Sequence, residues 1–141
     1  MGEYDERRTN GRNNKNLSLQ TMRQYLFRGY DPTTGEWVTD KSLRVAGKKA
    51  YIGKTEVDPE SVGMFTGLLD GNGTKVFEGD IVRGEHRYGI VWYQPHGCFK
   101  LMRHGEVFEC SEFAVKMKNV IGNLYNLKTE KERMYFYGKE E

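Results

Sequence analysis

The apolar positions of this chain come in short bursts separated by glycine, asparagine and proline, and within a burst they alternate as strands do. From Arg23 to Tyr30 the run RQYLFRGY sets Tyr25, Leu26, Phe27 and Tyr30 among polar partners, and Asp31-Pro32-Thr33-Thr34-Gly35 follows. Proline fixes φ early in that turn and Gly35 is free to take the left-handed position, so a hairpin into Trp37 to Thr39 is expected. Leu43 and Val45 alternate with polar residues, Gly47 punctuates, and Ala50 to Ile52 reads as a further short strand. Asp58-Pro59-Glu60 suits one helical turn, with proline at the first helical position and the Asp carboxylate accepting backbone donors. Gly63 and Gly67 keep that turn short.

The second half is more regular. Asp70-Gly71-Asn72-Gly73 is a tight-turn signal, Val76-Phe77 follows, and Glu78-Gly79-Asp80 makes a corner. Five strand-like runs come next: Ile81 to Arg83, Tyr88 to Tyr93, Cys98 to Met102, Val107 to Cys110 and Met117 to Ile121. Their spacing is that of a small SH3-like barrel, in which closure removes the exposed edges a flat sheet would leave. From Thr129 the tail TEKERMYFYGKEE reads either as a brief helix capped by Thr129 or as a charged extension. Residues 1–21 hold only Met1, Tyr4, Leu17 and Leu19 as apolar members, too few to offset the ordering of the backbone, and are expected to be a disordered arm. Met22 opens the patterned region, so translation from Met22 and an ordinary extension are both open. The expected organisation is an arm (1–21), an N-terminal β-rich part (22–76), a barrel (77–126), and a tail or short helix (127–141), in a mainly β fold with α+β as the alternative.

Composition narrows the functional classes. The 22 Lys and Arg nearly balance the 20 Asp and Glu, so bulk attraction to nucleic acid has no electrostatic basis. Two cysteines and no apolar leader fit a reduced cytoplasmic chain. The longest apolar runs fall far below the roughly 20 residues of a membrane span, so no membrane partner is expected.

Three blocks carry a family resemblance: FRGYDPTTGEWV (Phe27 to Val38), VDPESVGMFTGLLDGNGTKVFEGDIV (Val57 to Val82) and VIGNLY (Val120 to Tyr125). In order and spacing they resemble the signature segments of the bacteriophage YopX protein family, over Met22 to about Tyr125. The resemblance implies a phage or prophage gene, an SH3-type barrel behind a smaller N-terminal β part, and self-association. It implies no biochemical activity and no catalytic residue. The 21-residue arm and NLKTEKER, where members commonly have an E-N-P type ending, depart from the pattern. Within the blocks, Gly29, Gly35, Trp37, Gly63, Gly67, Asp70, Gly73, Gly79, Asp80, Gly122 and Asn123 read as structural. Gly79 lets the chain reverse without a Cβ clash and the Asp80 carboxylate closes the corner on backbone N–H groups, with Gly67, Gly73 and Gly122 serving similar needs.

Candidate chemistry is sparse. His96, Cys98, His104 and Cys110 are four ligand types, but their H-x-C-x5-H-x5-C spacing lacks the paired knuckles zinc prefers, and small core side chains are expected for both cysteines. No metal and no cofactor is therefore assigned. Cys98 has histidine neighbours but no flanking signature of a cysteine hydrolase, and Glu78, Asp80, Glu106 and Glu109 are not placed across a cleft by anything in the sequence. The expectation is a non-enzymatic protein-interaction module, a homo-oligomer with an unidentified phage or host protein as a further partner. Trp37, Phe27 and Tyr30 are then expected under the N-terminal part or at a subunit contact. The alternative is a nucleic-acid-binding factor using Arg87, Tyr88, Trp92, Lys100 and Arg103 on the central barrel strands, although alternation sends at least half of the local rings into the core.

Overall fold

The structure, a computed structural model, describes residues 24–138. The arm expected over 1–21 and the last three residues of the tail lie outside them. The first hairpin forms as its turn chemistry dictates: β1 (Phe27–Asp31) pairs antiparallel with β2 (Glu36–Asp40), Tyr30 opposite Trp37. The Gly35 N–H donates to the Asp31 carbonyl at 2.8 Å. β3 (Leu43–Ala46), β4 (Lys49–Ile52) and β5 (Thr55–Val57) then make a three-stranded meander. Its inward residues Ala50, Ile52 and Val57 are buried, with Phe27, Val38, Leu43 and Val62 packed around them. Pro59–Ser61 is a single 3-10 turn capped by Asp58, whose carboxylate accepts from the Glu60 N–H at 3.0 Å.

β6 (Gly63–Leu69) is an element the sequence reading missed. Its two glycines suggested loop, but Gly63 is needed for close approach: a Cβ there would sit 2.5 Å from the Glu78 carbonyl oxygen. Gly67 has φ +89 where the register between β6 and β7 (Lys75–Phe77) shifts. β6 joins the first hairpin to β7, giving a sheet of order β2-β1-β6-β7. β7 spans the expected boundary at 76/77, and Val76 is fully buried in the core of the second half.

That second half is a curled five-stranded sheet of order β11-β10-β9-β8-β12. Its strands are β8 (Asp80–Arg83), β9 (Arg87–Tyr93), β10 (Cys98–Arg103), β11 (Glu106–Glu109) and β12 (Asn119–Asn123). The sheet curls into a half-barrel and is not closed into the expected cylinder among the described residues, where β11 and β12 do not pair with each other and helices cover its faces. One face buries Val82, Ile90 and Leu101 against Val76 and against Val115 of α1 (Glu112–Lys116). The other buries Ile81 and Met102 against Phe136 of α2 (Glu130–Tyr137).

α1 fills the gap before the strand expected at Met117 to Ile121 and takes Met117 as its C-cap. Ser111 caps it by accepting from the Ala114 N–H at 3.2 Å, and Val115 goes to the core, so the strand starts only at Asn119. Of the two endings open to the tail, the helix forms: Thr129 and Glu132 build a reciprocal capping box. At its far end, the His104 and Gly105 N–H groups of the β10–β11 turn donate to the Tyr135 and Phe136 carbonyls at 2.8 and 2.9 Å. These bonds satisfy carbonyls that a helix terminus otherwise leaves open.

Candidate functional site

Two buried carboxylates fix the corners predicted from glycine and aspartate. Asp70, 4% exposed, accepts from the Asn72 and Thr74 N–H groups at 2.8 Å with one oxygen and from the Val120 N–H at 2.9 Å with the other. It thereby ties the β6–β7 turn to β12. Burial opposes its charge, but the backbone donors outweigh that and hold its carboxyl below the ordinary value. Asp80, 2% exposed, accepts from the Phe77 N–H at 2.8 Å and meets the Arg28 guanidinium at 2.8 Å. Here burial wins over the attraction of Arg28, and the carboxyl is pushed up.

Arg28 crosses from the first hairpin to the half-barrel. Its guanidinium lies 4.7 Å from the Trp37 ring centre and 4.8 Å from that of Phe77. Trp37, Tyr30 and Tyr125 pack edge to face or tilted at 5.4 to 5.7 Å. The Tyr125 hydroxyl donates to the Asp58 carboxylate, and that bond pushes its pKa up to about 12. Trp37 and Tyr30 thus pack against Tyr125 of the second half, while Phe27 goes under the first.

Beside this junction opens a cleft of about 690 Å³. Arg28, Trp37, Asp58 and Glu60 line it from one side, Ile90 to Trp92 and Tyr125 to Lys128 from the other, and Arg133 and Tyr137 of α2 close one end. Glu78, which also lines it, carries a carboxyl raised by burial and partly relieved by the Met64 N–H. Neither Arg28 nor Tyr125 was singled out as a site residue. The available signal was an arginine set between Phe27 and Tyr30, together with the Gly79-Asp80 corner far along the chain.

The structural glycines fall where turns or contacts require them, with one exception. Gly29 lies against Val57 and Ile52, Gly35 and Gly73 take positive φ in turns, and Gly79 has φ +94 at the corner. Asn123 accepts from the Asn126 N–H at 3.0 Å. Gly122 departs from expectation: it takes no left-handed φ and a Cβ there would meet nothing within 4 Å, since it sits in β12 at a register shift.

The five residues expected on a nucleic-acid surface are divided between the two faces of the sheet. Opposed residues in antiparallel strands share a face, so Trp92 goes with Phe99 and Lys100 goes with Val91 on the other side. Tyr88 packs on Phe108, with Arg103 6.0 Å from its ring centre, while Arg87 lies over Tyr135 at 4.4 Å. The possible ligand residues are likewise separated. His96 and Cys98 stand at one end of β10 and His104 at the other, and among the described residues no group of three or more His, Cys, Asp or Glu is placed to hold a metal. Burial pushes the Cys110 thiol up to about 11. Among the described residues no helix is long and apolar enough to cross a membrane.

Comparison with known proteins agrees with the sequence blocks. The model of the YopX protein family matches residues 26–127, stopping short of α2. No curated protein matches the chain. With more than two thirds of its length matched, the chain belongs to the YopX protein family.

Proposed function

We propose that the chain is a non-enzymatic, self-associating protein-interaction module, acting as an accessory protein of a phage or prophage. The observation that carries this reading is on α1. Phe113 and Met117 are 76% and 67% exposed, one turn apart on the side of the helix opposite buried Val115. Large apolar side chains presented in this way support a contact surface. They are flanked by Glu112 and Lys116, whose own pairing is long at 3.9 Å and largely solvent-exposed. Two copies of α1 packed antiparallel about a two-fold axis bring Glu112 of each against Lys116 of the other, with Phe113 against Met117. The nucleic-acid reading has weaker support, since its residues do not share a face.

Light scattering on the purified protein tests it. A defined oligomer is expected for the wild type and a smaller species for Phe113→Glu with Met117→Glu. Glu112→Lys alone should weaken assembly, and adding Lys116→Glu should restore it. A monomeric wild type would overturn the reading.

A further inference from the structure

The cleft holds a free strand edge as well as rings and charges. β8 pairs with β9 only over Arg87 to Gly89, and beyond this the Gly79 N–H reaches the Ile90 carbonyl at 2.7 Å. Backbone groups alternate in direction along an antiparallel strand. Trp92, two residues past Ile90, therefore turns its N–H and C=O to the same side, away from β10. The chain leaves the sheet at Gly79 to enter β7, which belongs to the other sheet, so among the described residues no strand lies opposite Trp92. Among the described residues no backbone group bonds Trp92 from that side, and Trp92 lines the cleft.

The charges are arranged in opposition. Arg28 is engaged by Asp80, and Asp58 by Tyr125. That leaves Glu60 as an acid, and Lys128 and Arg133 as bases, whose side chains have no ion pair among the described residues, while Glu78 already accepts from the Met64 N–H. A phosphate chain would gain from the two bases and be repelled by Glu60 and the neighbouring Asp58 carboxylate, so little favours its counterion release. An extended peptide matches both signs and also offers the backbone donor and acceptor that Trp92 requires. The cleft volume of about 690 Å³ suits a few residues of such a segment.

We propose that the cleft takes up an extended polypeptide segment carrying both charge signs, which adds to the sheet at the free edge of β9 by Trp92. This binding is independent of the α1 face, which lines no part of the cleft.

Both tryptophans of the chain, Trp37 and Trp92, line the cleft, so intrinsic fluorescence reads it directly. The probe is a capped peptide of about eight residues, a usual strand length, in which threonine alternates with glutamate and lysine. A saturable change in emission is expected, roughly tenfold weaker affinity for the same peptide N-methylated at alternate residues, and a similar loss for Lys128→Glu with Arg133→Glu. The variant carrying Phe113→Glu and Met117→Glu should bind as the wild type does, which separates this proposal from self-association. No change up to millimolar peptide, equal binding of the N-methylated peptide, or tighter binding of an oligothymidylate of the same length would overturn it.

Discussion

The two halves of the molecule are held by different kinds of force. The half-barrel buries apolar side chains on both faces of one sheet, with Val115 filling one side and Phe136 the other. The N-terminal half has a thinner core of Ala50, Ile52 and Val57, and it meets the half-barrel through directed contacts: Arg28 with Asp80, Tyr125 with Asp58, and the edge-to-face rings of Trp37, Tyr30 and Tyr125. Apolar burial is non-directional and tolerates small shifts, whereas an ion pair at 2.8 Å does not. The difference explains why the cleft lies at the junction, where polar groups hold the walls apart.

The largest expected effect is on the apolar side. Phe136→Ala removes a fully buried ring from beneath the sheet and should cost about 3–5 kcal/mol in denaturant unfolding. A cost near zero would mean that α2 is not part of the cooperative unit. Second, Arg28→Met leaves Asp80 buried without its cation and should cost about 3 kcal/mol, while adding Asp80→Asn, which keeps an acceptor for the Phe77 N–H, should recover part of the loss. Equal losses in the single and double variants would show that the pair acts only through packing.

The smallest expected effect is at Asp70. Asp70→Asn keeps one acceptor of the two and should cost about 1–3 kcal/mol near neutral pH. Because the folded carboxyl titrates below its ordinary value of 3.8, its contribution is present above that value and is lost as pH falls through the folded one. The wild type should therefore lose stability below about pH 4, and Asp70→Asn should show a flatter acid limb. Asp80 works in the opposite sense, since its folded carboxyl is raised and acidification relieves its buried charge.

Most of the fold was legible where turn residues punctuate short alternating runs, as in the first hairpin and in β8 to β11. His104-Gly105 takes positive φ at both residues, +56 and +79, as a tight hairpin turn demands. β6 was not legible, because Gly63 answers to Glu78, a contact 15 residues away that local pattern cannot contain. α1 was hidden for a related reason: Met117 looks like a strand residue until Ser111 and Val115 are seen to fix the helix before it. The candidate cleft was the least visible feature. Arg28 and Asp80 are each readable as a strand residue and a corner, but their meeting depends on tertiary packing, as does that of Asp58 with Tyr125.

Native-state amide hydrogen exchange on the wild type and Arg28→Met tests the contrast between the halves most directly. The account predicts that amides of β1, β4 and β5 open at lower free energy than those of β9 and β10, and that the variant lowers protection in the first group while leaving the second nearly unchanged. Uniform loss of protection across both groups would contradict it.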